Sequence, residues 1–204
     1  MAACHHLRGG WLLTDARLAG HGLVAARRLP PGSTIVLRSD DLGPLTRRRL
    51  ALRLKRIVRA RRLRLFLAGA TAADARRLGA DGIHLRSRCV RAARVARRAG
   101  LAVSAPVHDR AEARAVAKAR IAYALISPLF ATRSHAGPRT LPVRRFISLA
   151  LETGAMAIAL GGMTAARHRA LRLRTGPVRP AWAAIDAWEN PRKTPRQKRN
   201  CVPT

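Results

Sequence analysis

The sequence predicts a closed (β/α)8 barrel, a TIM barrel, as a single α/β domain. Three observations carry this. Eight short apolar runs alternate with helical segments along 204 residues. Those runs are continuously apolar rather than alternating, as expected of parallel strands covered on both faces. Eight repeats favour closure over an open doubly wound sheet, and the length meets the lower limit for such a barrel.

The elements follow in order. Residues 11–15, Trp-Leu-Leu-Thr-Asp, read as a first strand, and 16–29 as a helix stopped by Pro30-Pro31-Gly32. The β-branched run 34–37 ends on Arg38. Residues 45–61 form an amphipathic helix with arginine outward. A third strand over 63–67 ends at Ala68-Gly69. A helix over 71–78 is capped by Thr71 and stopped by Gly79. The fourth strand is 81–85. A helix over 90–99 closes at Gly100. The fifth strand, 101–104, runs into Pro106 and His108, and Asp109 caps a helix through 119. The sixth strand is 123–126. A helix over 143–153 closes at Gly154. The seventh strand, 156–160, ends on Gly161-Gly162, and Thr164 caps a helix through 173. The eighth strand is 181–185. The expected organisation is a leader over 1–10, the barrel over 11–189 and a basic, Pro-containing tail over 190–204 without apolar period.

Composition narrows the function classes. The chain is 48% hydrophobic but only 3% aromatic, so its core is aliphatic. Net charge is +31, from 41 basic against 10 acidic residues, and the only lysines are Lys55, Lys118, Lys193 and Lys198. Such a field draws phosphorylated metabolites and polyanions. The arginines recur in nearly every helix, as in Arg47-Arg48-Arg49, rather than on one face. Solvated helix faces are therefore expected, and nucleic acid is not the expected partner. Cys4, Cys89 and Cys201 have no metal spacing, so neither a disulfide framework nor a zinc site is expected and a reduced, cytoplasmic setting is the default. No apolar run reaches membrane-spanning length.

In a barrel the strand C-termini gather the chemistry on one face. Residues 123–135 stand out there. An apolar strand breaks at Ser127-Pro128 into a loop carrying Thr132, Arg133, Ser134 and His135, groups suited to a small anion. Gly161-Gly162 before the Thr164 helix is the second phosphate signal, because glycine lets a backbone approach an oxyanion closely. Taken alone, His84 reads as a packed core histidine and His108 as the neighbour of a helix cap.

These stretches together resemble the thiamine phosphate synthase and thiazole tautomerase (TenI) family. The matches are Leu13-Thr14-Asp15, Leu37-Arg38, Gly-Ala-Asp-Gly-Ile-His-Leu over 79–85, His108, Ser-Pro-Leu-Phe-Ala-Thr over 127–132 and Ile-Ala-Leu-Gly-Gly-Met over 158–163, in family order. The resemblance implies a barrel of thiamine biosynthesis that joins hydroxymethylpyrimidine diphosphate to thiazole phosphate with loss of diphosphate. It implies Arg38 and His135 as catalytic residues on the diphosphate. Substrate would be bound by His108, Thr132, Arg133, Ser134, Gly161 and Gly162. The partner is then a small phosphorylated heterocycle, without membrane, and a homodimer stays open.

The sequence departs from the family pattern at the diphosphate half. Val36-Leu-Arg-Ser-Asp40 keeps only Leu37 and Arg38 of Gln-Leu-Arg-Glu-Lys. The family's magnesium-binding carboxylates are replaced by Gly69 and Cys89, so no metal ligand is assigned. Arg86 and Arg88 could supply positive charge to a diphosphate instead. Ser-x-His after the fifth strand becomes Pro106-Val-His108, unless a gap brings Ser104 into the serine's place. The serine after the eighth strand is Asp186, and Pro128 stands where the tautomerase branch has its histidine. The alternative to a synthase is a non-catalytic paralogue that binds a phosphorylated thiazole or thiamine-related ligand.

Overall fold

Parallel pairing runs unbroken around the molecule. The computed structural model describes residues 9–14, 22–38, 42–86, 91–131, 140–185 and 188. Its strands are β1 (Trp11–Leu13), β2 (Thr34–Leu37), β3 (Arg64–Ala68), β4 (Gly82–His84), β5 (Ala102–Val107), β6 (Tyr123–Ile126), β7 (Met156–Ala159) and β8 (Ala181–Ala184). Each pairs with the next, and β8 returns to β1 through Trp11↔Ala183 and Leu12↔Ala184, which closes the barrel. Between them lie α1 (Gly22–Arg28), α2 (Pro44–Ala60), α3 (Ala72–Arg77), α4 (Ala93–Arg98), α5 (Arg110–Lys118), α6 (Val143–Thr153) and α7 (Ala165–Arg174).

The helix boundaries follow local chemistry. The hydroxyls of Thr71 and Thr164 accept from the Asp74 and Arg167 amides, and the Asp109 carboxylate accepts from Glu112 N, as the expected caps require. Gly154 takes the left-handed conformation that ends α6. One strand is longer than the sequence suggested. β5 continues through Pro106 and Val107 along β6, whereas its pairing with β4 stops at Ser104. Proline is accommodated there because β5 has only one neighbour at that height.

Strand alternation sorts the core into two shells. Leu12, Ile35, Leu37, Leu65, Leu67 and Ile83 face the helices. Trp11, Leu13, Val36, Phe66, Tyr123, Leu125 and Ile158 fill the barrel. Three of the few aromatics meet inside it. The Trp11 ring lies 5.2 Å from both Phe66 and Tyr123. The Arg64 guanidinium joins this cluster, donating to the Tyr123 hydroxyl at 2.7 Å and lying 5.3 Å from the Phe66 ring. A cation is thus held among aromatic faces at the strand N-termini, opposite the expected site.

This packing also explains much of the 79–85 motif. Gly79 has φ +61° and ends α3. The Asp81 carboxylate accepts from Leu65 N at 2.8 Å and ties β4 to β3. A Cβ on Gly82 would stand 2.5 Å from both the Ala102 carbonyl and the Phe66 ring, so only glycine fits beneath that ring.

Candidate active site at the strand C-termini

β1 and β2 end on a shared hydroxyl. The buried Thr14 Oγ1 donates to the Arg38 carbonyl at 3.1 Å and accepts from Arg38 N at 2.9 Å. This double contact fixes the residue that carries the first expected diphosphate ligand. On the opposite wall, His84 and Ser104 are register partners of β4 and β5, and His84 Nδ1 lies 3.0 Å from Ser104 Oγ. Ser104 is fully buried, and its hydroxyl holds the His84 ring.

Burial, then the positive charge of Arg38, lowers the His84 pKa from an ordinary 6.5 to about 4. The imidazole is therefore neutral near pH 7, which fits the packed histidine expected from sequence. The sign of the linkage follows. Between those values the unfolded chain takes up a proton that the native chain refuses. The stability from neutral His84 is complete above pH 6.5 and is lost as pH falls towards 4. The expected loss is on the order of 3 kcal/mol. Urea midpoints measured from pH 7 to 4 should show this decline, and His84→Gln should flatten it. An unchanged slope in the variant would refute the assignment.

The loop after β6 is stitched to the end of β7. Leu129 N donates to the Leu160 carbonyl at 3.0 Å and Phe130 N to the Gly161 carbonyl at 3.1 Å. Gly161 and Gly162 have φ of +95° and +56°. A Cβ on Gly161 would lie 2.8 Å from Pro128 Cα, and one on Gly162 2.5 Å from the Ala131 carbonyl. Arg167 locks the same corner, donating to the Gly162 carbonyl with its guanidinium 4.5 Å from the Phe130 ring centre. Residues 128–131 and Gly161–Gly162 are thus one structural unit.

The other expected site residues fall differently. His108 is exposed at the start of α5, with Nδ1 2.9 Å from Glu112 Oε2, and its amide donates to the same oxygen at 2.7 Å. That is the surrounding of a helix-cap neighbour. Arg86 is exposed just past β4. Thr132, Arg133, Ser134, His135, Arg88, Cys89 and Asp186 lie outside the described residues, as do the leader residues 1–8 and the tail 190–204.

The residue missed from sequence is Arg47. The triplet 47–49 was expected on an outer helix face. Arg48 and Arg49 are exposed, but Arg47 is half-buried and folds back to donate to the Ala68 carbonyl at the end of β3. The triplet looks uniform in sequence, and only its position in the first turn of α2 sets Arg47 apart. Elsewhere arginine serves similarly as a brace, with Arg61 donating to the Leu29 carbonyl at 3.0 Å and Arg76 to the Ala99 carbonyl at 2.8 Å.

The magnesium implied by the resemblance does not fit this corner. The end of β3 offers Ala68 and Gly69, with a guanidinium laid against them. Among the described residues no group of three His, Cys, Asp or Glu is placed to hold a metal. A hard cation needs anionic or carbonyl oxygens, and here a fixed positive charge occupies one of the carbonyls.

Comparison with known proteins decides the family. A family model described as thiamine monophosphate synthase matches residues 16–176. The chain belongs to that family. Among the relatives of this family member is the thiamine-phosphate synthase of Chromobacterium violaceum, 34% identical over 157 residues, or 75% of this chain and 73% of that protein. A solved thiamine phosphate pyrophosphorylase from Pyrococcus furiosus superposes with a TM-score of 0.72 at 20% identity, covering 90% of this chain and 88% of that one. A FabK mutant from Thermotoga maritima gives 0.70 at 15% identity over 89% of this chain and 62% of its own. At such identities the structural likeness shows the barrel alone. No helix among the described residues is long and apolar enough to cross a membrane.

Proposed function

We propose that this member of the thiamine monophosphate synthase family binds thiazole phosphate at the Gly161–Gly162 corner and joins it to hydroxymethylpyrimidine diphosphate. The observation that carries this reading is the corner itself. Two glycines in positive φ at the end of β7 pack against 128–131, and turns of this kind can present backbone amides to an oxyanion. In the reaction the pyrimidine methylene–oxygen bond breaks, diphosphate leaves with the electron pair, and the thiazole nitrogen supplies the pair for the new carbon–nitrogen bond. Residues that stabilise the departing anion lower that barrier. Arg38, held by Thr14, is the described side chain assigned to this task, with Arg86 after β4 and His108 after β5. Neutral His84 adds no charge to the developing pyrimidine cation.

A second reading has its own support. Gly69 and Cys89 in place of the family's carboxylates favour a paralogue that keeps thiazole phosphate binding and has lost turnover. Incubation of the purified protein with both phosphorylated substrates, with and without magnesium, separates the two. The expected outcome is thiamine phosphate and diphosphate in equal amounts. Folded protein that binds thiazole phosphate in calorimetry but forms no product above background would establish the second reading. Absence of thiazole phosphate binding would reject both.

A further inference from the structure

Beside the end of β3 lies a cleft of about 610 Å³ between α2 and α3. Leu67 and Leu78 give it apolar lining, and Gly69 lies along it. Arg47, Arg48 and Arg77 line it. Among the described residues that line it Asp74 is the single carboxylate, and it is engaged by Arg77 and by the Thr71 hydroxyl at 2.7 Å. Among those residues three guanidinium groups stand against one carboxylate. Arg47 spends one nitrogen on the Ala68 carbonyl, while its Nε and Nη1 have no partner among the described residues, and neither has Arg48. The first contact fixes the guanidinium, so its remaining donors are presented without the usual loss of side-chain freedom.

We propose that this arginine cleft binds a diphosphate group directly, without a divalent cation, with Arg47 and Arg48 holding its oxygens. The inference rests on the reading that the protein takes a diphosphate substrate, and it explains how such a group is held where the carboxylates are missing. Guanidinium forks match phosphate oxygens in pairs and supply the neutralising charge that a metal would otherwise bring.

Calorimetric titration of inorganic pyrophosphate into the full-length protein tests this. The titrations are run in EDTA and in magnesium at about 0.15 M salt, where the general field of so basic a chain is screened beyond roughly 8 Å. Binding should persist in EDTA. Arg47→Ala and Arg48→Ala should each weaken it about tenfold or more. Arg98→Ala on α4, an equally basic exposed position, should leave it unchanged. Arg48 is exposed and makes no hydrogen bond or ion pair among the described residues, so its variant keeps the test decisive if Arg47→Ala is poorly folded. Binding seen only with magnesium, or weakened equally by Arg98→Ala, overturns the proposal. Thiazole phosphate titrated into the same variants reads the glycine corner separately, so either site can fail without the other.

Discussion

Gly161→Ala is expected to lower stability by about 3 kcal/mol and to remove measurable thiazole phosphate binding. Two effects add. The residue has φ +95°, which an L side chain adopts only with strain. Its new methyl would also stand 2.8 Å from Pro128 Cα and 3.0 Å from Leu129 N. Those are backbone atoms, so relief requires the loop to move. Movement breaks the bonds from Leu129 N to the Leu160 carbonyl and from Phe130 N to the Gly161 carbonyl. Gly154→Ala separates the two effects, because Gly154 has φ +59° and nothing within 4 Å of its would-be Cβ. That variant should cost only about 1 kcal/mol. Denaturant midpoints of both, with calorimetry of thiazole phosphate, provide the measurement. Equal losses in the two variants would refute the contact between the loop and β7.

Phe66→Ala should destabilise the barrel by about 3–5 kcal/mol. Phe66 is wholly buried and is one of the largest side chains in the interior. Its ring lies 5.2 Å from Trp11 and 5.9 Å from Tyr123, with the Arg64 guanidinium above it. Truncation leaves a cavity and removes one aromatic face from a partly buried cation. Neighbours refill such a space only in part, and the adjoining Gly82 has no side chain to move into it. Leu173→Ala, at an 89% exposed residue of α7, should change stability by less than about 0.5 kcal/mol. Urea unfolding curves of the two variants check the contrast, and a Phe66→Ala loss as small as that of Leu173→Ala would overturn the reading.

Local chemistry is most legible at the glycines and caps. Thr71, Asp109 and Thr164 occupy the cap positions expected of them, because a short oxygen-bearing side chain before a helix has one favourable task. Gly161-Gly162 was legible as a phosphate signal, yet its contact with 128–131 was not, since no pattern within either segment encodes their approach. The sequence pattern ends β5 at Ser104, before Pro106. The structure carries the strand past it, because a proline's missing donor matters only where a neighbouring strand needs it. The contact of the His108 ring and amide with Glu112 likewise shows only in the structure.

Sequence by itself determined the eightfold alternation, the helix ends, the aliphatic core and the absence of carboxylates at 68 and 69. These depend on local propensity, periodicity and residue identity, which a linear chain displays directly. Tertiary structure alone decided that Arg64 closes the aromatic base of the barrel, that Ser104 holds His84, and that Arg47 leaves its helix face for the end of β3. Each is a contact between distant segments, made because a side chain meets whichever carbonyl, ring or hydroxyl the closed barrel brings within reach. Arginine carries the difference most plainly: one residue type, repeated along the chain, becomes surface charge, backbone brace or anion ligand according to what the fold places opposite it.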